Sequence, residues 1–330
     1  SLNLECGYNR IRKCYFEGES IMKYDVENRR IWFKGEILNV NDAKINILAP
    51  TSQFGLNVFE GIPGYWNSDN GQLYIFRLED HIKRLEKSMK LMQIDAPYGF
   101  DEIKKAIIDT IKANEYDENI SIRTTTFVDG FGSWGSSEPS DMFVAPISRG
   151  KTSAEYNKKG LNCCITSWRR IDDTVLSPRI KCGANYINSR MGQREALRNG
   201  YDTCIFLNSQ GKISEGPGSC FFMIKNNKII TPKLTDSVLE SITRDTVIKL
   251  ALDAGLDVEE RTIDRTELYV ADEAFLCGSA MEITPVYSVD RYEITSEVGK
   301  ITKMLHKKYL DAAMGKDKLH QDWVTGVYDL

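Results

Sequence analysis

The chain has 330 residues, room for one large or two medium domains, and its 42% hydrophobic content suits a globular protein. Lys and Arg number 43 against 47 Asp and Glu, a net charge of −4, and no basic stripe argues for nucleic acid as a partner. No run of about 18 apolar residues offers a membrane span.

The opening "SLNLECGYNRIRKCYFEG" has neither an apolar signal core nor a small-residue cleavage site, so a soluble, cytoplasmic protein is expected. Residues 1 to about 29 read as an N-terminal extension. Eight cysteines form no C-x-x-C pair, and several lie in apolar runs such as "CIFL" and "CFFMI". They read as reduced, buried thiols. Three histidines, none with a second histidine or a cysteine at ligand spacing, give a zinc site little to build on, and no metal is expected.

Along the chain, "RRIWFKGEIL" alternates polar and apolar residues around "KG", and "QLYIFRL" is rich in aromatic and β-branched residues, so both predict strand. Ile82, Leu85, Met89 and Met92 then recur at helical spacing, and Ile103, Ala106, Ile107 and Ile111 repeat the pattern. Strands follow in "ISIRTTTFVD" and "DMFVAPI". The polar stretch 148–160 is the expected linker, which makes 1–147 a small α+β domain and 161–330 a larger one. There, "LNCCITSW" predicts a strand, while "CIFLNSQGKISEG" and "SCFFMIKNNKIITP" resemble hairpins. "TRDTVIKLALDAG" predicts a helix stopped by Gly255, and Ile301, Leu305 and Leu310 predict another.

Two motifs suggest nucleotide binding and fail on context. "GFGSWG" fits G-x-G-x-x-G through Gly130, Gly132 and Gly135, but Pro139 and a strand follow where a helix must begin, so a turn is expected. "RGKT" at 149–152 has Ala145 where a phosphate loop needs its first glycine.

Lys181 lies between Pro178 and the helix-like "ANYINSRMGQREALRN", itself closed by Gly200. The junction can aim a long amine from a fixed backbone, and Cys182, Gly183 and Ala184 are small enough to let a planar ligand approach. Position alone still favours a solvated surface charge.

The order of "VFEGI", "FRLEDHIKRL", "IKCGANYINS", "KISEGPGSCFF", "SITRDTVIKLA" and "ADEAFLCGSAMEITPV" changes that balance. Together they resemble the branched-chain amino-acid aminotransferases, class IV transaminases of fold type IV, from about residue 30 to the C-terminus. The resemblance implies a two-domain α+β / α/β fold like that of D-amino acid aminotransferase, with a β-rich pseudo-barrel and helices in the larger domain and cofactor between the domains. It also implies pyridoxal 5'-phosphate as cofactor, amino acids and 2-oxo acids as substrates, and a homodimer whose neighbouring subunit completes the pocket.

By that resemblance Lys181 forms the Schiff base and moves the proton, tasks that need a primary amine. Glu215 faces the pyridine nitrogen, and Tyr186 bonds the phenolic oxygen. Arg77, the N–H groups of Ile242 and Thr243 at a helix start, and Ser279 hold the phosphate. The N–H groups of Ser279 and Ala280 hold the substrate carboxylate, Phe59 lines the side-chain pocket, and Arg123 admits a second carboxylate. The implied reaction moves an amino group between leucine, isoleucine or valine and 2-oxoglutarate. Ser219 and Cys220 replace a usual Glu-Asn, Phe54 and Ser121 stand for usual tyrosines, and Glu240-Ser241 replaces Pro-Gly. These departures keep open another class IV activity, on D-amino acids, in specialised metabolism or as an aminodeoxychorismate lyase, and also a non-catalytic cofactor-binding protein.

Overall fold

The computed structural model describes residues 28–149 and 159–329. By internal contacts the chain forms two units, and the division is not a single cut. Among the described residues, the first unit holds 28–149, 180–184 and 311–329, and the second holds 159–179 and 185–310. Most of the expected linker, Cys6 and Cys14, and nearly all of the N-terminal extension lie outside the described residues.

The first unit is built on a seven-stranded antiparallel sheet, in the order β15-β4-β3-β5-β6-β1-β2. Its strands are β1 (Arg30–Phe33), β2 (Glu36–Asn39), β3 (Asn57–Asn67), β4 (Gln72–Phe76), β5 (Ile120–Val128), β6 (Ser140–Ser148) and β15 (Val324–Gly326). The expected single strand "RRIWFKGEIL" is a hairpin, because Lys34 and Gly35 both take positive φ, 52° and 97°, and reverse the chain between β1 and β2. Helices α2 (Leu78–Met92) and α3 (Phe100–Asn114) follow the predicted periodicities, preceded by the short α1 (Pro50–Phe54). They bury Ile82, Leu85, Met89, Ile103, Ile107 and Ile111 in one core with Val58, Ile62 and Ile122 of the sheet. Each such aliphatic side chain contributes about 1.5–3 kcal/mol.

Two distant segments join this unit for visible reasons. Val58 bridges Cys182, and the Phe59 amide donates to the Lys181 carbonyl at 2.9 Å, so 180–184 run along the free edge of β3. Residues 324–327 return as β15 and its exit beside β4, where Val327 N donates to Leu73 O at 3.0 Å. The "GFGSWG" segment is turn and coil between β5 and β6, as expected.

The second unit carries a mixed sheet ordered β11-β10-β9-β12-β13-β7-β8, with β14 (Tyr292–Glu293) paired to β13. Its strands are β7 (Leu161–Arg169), β8 (Thr203–Leu207), β9 (Cys220–Lys225), β10 (Lys228–Thr231), β11 (Val258–Glu260), β12 (Glu273–Gly278) and β13 (Glu282–Val289). Helix α4 (Tyr186–Arg198) makes the crossover between the parallel strands β7 and β8. Gly192 permits its close approach, since a Cβ there would lie 2.4 Å from Phe206 Cζ and 2.9 Å from Cys204 Sγ. β9 and β10 form the predicted hairpin, turned by Asn226 and Asn227 at φ 51° and 61°. The other expected hairpin is short: Leu207 bridges Ile213, Asn208 N donates to Lys212 O at 2.8 Å, and Phe206 pairs with Ser214 and Glu215 through two bonds of 2.9 Å. The unit also holds helix α5 (Ile242–Asp253), with Gly255 at φ 73° just past it, and α6 (Lys300–Ala313) as far as Leu310.

Candidate functional site

In the first unit Lys181 is fixed through its backbone. Its N–H donates to Ser88 Oγ of α2 at 3.2 Å, while its carbonyl accepts from Phe59. The half-buried side chain extends over the Phe59 ring, with Nζ 5.0 Å from the centroid. Arg123, on the neighbouring strand β5, places its guanidinium 4.4 Å from the same centroid. Lys181, Phe59 and Arg123 therefore stand together, an apolar ring flanked by two cations.

Arg77 occupies the turn from β4 into α2 and adopts φ 54°, a left-handed conformation uncommon outside glycine. Three contacts hold it: its amide donates to Trp323 O at 2.6 Å, its Nε bonds Asp80 Oδ2 at 2.5 Å, and its guanidinium lies 5.0 Å from the Trp323 ring centroid. The side chain is almost buried, which suits a fixed cation better than a solvated one.

The environment of Cys182 and Gly183 corrects the expectation that they clear space for a planar ligand. Cys182 points into the core with Val58 and Ile62, and a Cβ on Gly183 would come 2.7 Å from Asn57 Oδ1. Their small size serves the packing that seats Lys181 rather than access to it.

A buried cluster that sequence reading missed lies on the same strand and helix. Glu60, fully buried on β3, accepts from Arg84 Nε and Nη2 at 2.7 Å each and meets His81 Nδ1 at 2.7 Å. Burial alone raises the Glu60 pKa, but the charges and hydrogen bonds of Arg84 and His81 outweigh it and hold the carboxyl far below the usual range. Burial lowers the His81 pKa, assisted by the charges of Arg84 and Lys181, against the pull of Glu60. We read the cluster as ionised Glu60 and Arg84 with a neutral histidine. The signal was a glutamate inside the apolar "VFEGI" and a His and Arg three apart on the helix.

In the second unit Glu215 is buried and multiply held. Arg170 donates to Oε1 through Nε and Nη2, both at 2.9 Å, the Leu239 amide donates to Oε2 at 3.1 Å, and Cys220 Sγ lies 3.8 Å from Oε2. Arg170 was missed in the sequence; "SWRR" gives no periodic or motif signal for its second arginine. Tyr186 opens α4 with a partly exposed ring whose Cε1 lies 4.0 Å from where a Cβ of Gly218 would stand. A Cβ on Gly278 would lie 3.1 Å from Gly218 O, so the Gly278, Ser279 and Ala280 turn after β12 sits by the same backbone.

Ile242 and Thr243 are the first two residues of α5. Ser241 Oγ accepts from Arg244 N and Ser241 O from Asp245 N, and the amides of Ile242 and Thr243 have no acceptor among the described residues. Two N–H groups at the positive end of a twelve-residue helix are able to receive an anion. Glu240-Ser241 thus serves as a regular cap in place of the expected Pro-Gly.

The residues fit a phosphorylated, planar, amine-reactive cofactor: a seated primary amine, a fixed guanidinium, open helix amides and a buried carboxylate. Each set is internally ordered, Lys181 with Phe59 and Arg123 in one unit, Glu215 with its donors in the other.

Comparison with known proteins agrees with that chemistry. Residues 57–289 match the model of the family described as amino-transferase class IV. A probable branched-chain-amino-acid aminotransferase of Aquifex aeolicus is 37% identical over 311 residues, covering 90% of this chain and 96% of the relative. The branched-chain amino acid aminotransferase of Thermobaculum terrenum, solved in its PLP form, superposes with a TM-score of 0.87 at 42% identity, covering 92% and 100% of the two chains. That of Thermoproteus uzoniensis, solved with norvaline, gives 0.86 at 37% identity over 91% and 99%.

Proposed function

We propose that this chain, which belongs to the class IV aminotransferases, transfers the amino group between branched-chain L-amino acids (leucine, isoleucine and valine) and 2-oxoglutarate, with pyridoxal 5'-phosphate as cofactor. The family match across residues 57–289 carries the reading. When bound, pyridoxal phosphate supplies a carbonyl that condenses with amines and a ring that accepts the electron pair left at the substrate's α-carbon.

The chain's own residues do the rest. Lys181 Nζ would hold the cofactor covalently between turnovers, and its freed amine would then carry the proton between the substrate α-carbon and the cofactor's C4′. Glu215 keeps a negative charge against the ring nitrogen, and Tyr186 bonds the phenolic oxygen. The Arg77 guanidinium, the Ile242 and Thr243 amides and the Ser279 hydroxyl bind the phosphate. The Ser279 and Ala280 amides hold the substrate carboxylate. Phe59 gives apolar cover to an aliphatic side chain, and Arg123, 4.4 Å above its ring, pairs with the second carboxylate of glutamate. One pocket so lined admits both partners of the exchange.

The active form is a cytoplasmic homodimer. Phe131 and Trp134, each 77% exposed at the β5–β6 connection, support a partner on that loop, and six buried free cysteines support a reducing compartment. Among the described residues, no helix is long and apolar enough to cross a membrane.

The test is purified protein with pyridoxal phosphate and a panel of L- and D-amino acids, followed by cofactor absorbance and oxo-acid release. L-leucine, L-isoleucine and L-valine are expected to react fastest with 2-oxoglutarate as acceptor, and Lys181→Ala to abolish turnover. Turnover confined to D-amino acids overturns the substrate reading, and turnover in Lys181→Ala overturns the central assignment.

A further inference from the structure

The contacts around Glu215 hold more order than a carboxylate facing a ring nitrogen requires. Four donors converge on it. Arg170 spends two N–H groups on Oε1, at 2.9 Å each, and the Leu239 amide takes one position on Oε2 at 3.1 Å. The thiol of Cys220, at 3.8 Å from Oε2, is the weakest of the four and the easiest for a ring N–H to displace.

Arg170 is itself held from several sides. Its amide donates to Leu207 O at 2.9 Å, tying the end of β7 to β8. Its Nη1 donates to Asn188 Oδ1 at 3.1 Å and Ser189 Oγ at 3.3 Å, both in the first turn of α4, and the guanidinium lies 5.9 Å from the Phe206 ring centroid. Side chains at 8% and 4% exposure leave this pair little water, so neither charge is screened.

We propose that Arg170 is a positioning residue for Glu215: it fixes the carboxylate as an anion in one orientation, with Oε2 presented to the cofactor's ring nitrogen. The inference rests on the reading of Glu215 as the ring-nitrogen partner. A buried carboxylate deprived of its cation takes up a proton, and protonated Glu215 no longer keeps the ring nitrogen charged. The same helix turn that anchors Arg170 begins with Tyr186, so one element orients contacts to the ring nitrogen and the phenolic oxygen.

The test is a double-mutant cycle in the holoenzyme with Arg170→Met, Glu215→Gln and their combination. Measured are kcat and KM for the preferred amino donor, cofactor Kd by fluorescence titration, and the pH dependence of bound-cofactor absorbance. Arg170→Met is expected to lower kcat by about 10- to 100-fold, the range for groups that orient a ligand through another. KM should stay within about threefold, since no substrate contact is lost, and the absorbance titration should shift. The double variant should be no slower than Glu215→Gln alone, because Arg170 acts through Glu215.

A wild-type titration and kcat in Arg170→Met overturn the proposal, as does a double variant slower than Glu215→Gln by the full single-variant factor. A Glu215→Gln enzyme with normal kcat and titration overturns the underlying reading of Glu215 instead. If Arg170→Met does not fold, Ser189→Ala carries the test: it leaves both charges and loosens the guanidinium, so the titration should shift in the same direction with Tm unchanged. No shift there counts against the proposal.

Discussion

Replacing Arg84 by Met probes the buried cluster under β3 most directly. The substitution keeps an apolar stem but removes both bonds to Glu60, leaving a fully buried carboxylate with His81 alone. Breaking a buried pair from one side costs about 3–5 kcal/mol. At roughly 2–4 °C per kcal/mol for a unit of this size, Tm should fall on the order of 10 °C.

The pH dependence adds a sharper readout. In the parent both Glu60 and His81 have folded pKa values below their ordinary 4.5 and 6.5, so the unfolded chain binds more protons and stability falls as pH drops below about 6.5. Without Arg84 the cheapest compensation for Glu60 is a protonated His81, whose folded pKa then rises above 6.5. That contribution is complete below the unfolded pKa and is lost as pH rises through the raised one. The deficit of Arg84→Met should therefore shrink between pH 8 and pH 6, and Glu60→Gln with Arg84→Met should recover more than half of it. Thermal melts by circular dichroism across that range decide the matter. A loss below about 1 kcal/mol, or a deficit that widens on acidification, refutes the charge assignment.

Two other outcomes follow from packing and burial. Gly192→Ala drives a methyl into Phe206 and Cys204, so urea titration should show a loss of about 1–3 kcal/mol; an unchanged midpoint means α4 moves freely against β8. Cys163, Cys164, Cys204 and Cys277 have thiol pKa values raised by burial, Cys164 to about 12, so iodoacetamide at pH 8 should label them only after unfolding; mass spectrometry showing a labelled native Cys204 counts against this.

Local chemistry was legible in the sequence wherever one turn of chain decides it. Ile82, Leu85 and Met89 face the core at the spacing that announced α2, and Asn226-Asn227 turns the hairpin that its residue types suggest. β3 was visible only as the motif "VFEGI". As a central strand it is buried on both faces, so the alternation that marks an edge strand is missing. The helix of Lys181's own segment was legible, but its seat was not: a lysine 121 residues after Glu60 in sequence shares a strand edge and a helix with it through bonds of Phe59 and Ser88. Arg170 and Glu215 likewise meet only because the crossover from β7 to β8 closes. Partners far apart along the chain leave no periodic trace.

The pairing of β15 with β4 sets an order of events during synthesis. Arg77 emerges from the ribosome about 250 residues before Trp323, the ring that backs it and the carbonyl that takes its amide. At roughly 5–20 residues per second the guanidinium waits on the order of 10–50 s for its support. A chain cut short after α6 carries Lys181, Glu215 and the α5 amides but has the left-handed turn at Arg77 unbuttressed. The turn at Arg77 therefore gains its backing carbonyl and ring only after about 250 further residues have been made, so this clasp closes late in synthesis, long after the sheet strand that precedes it.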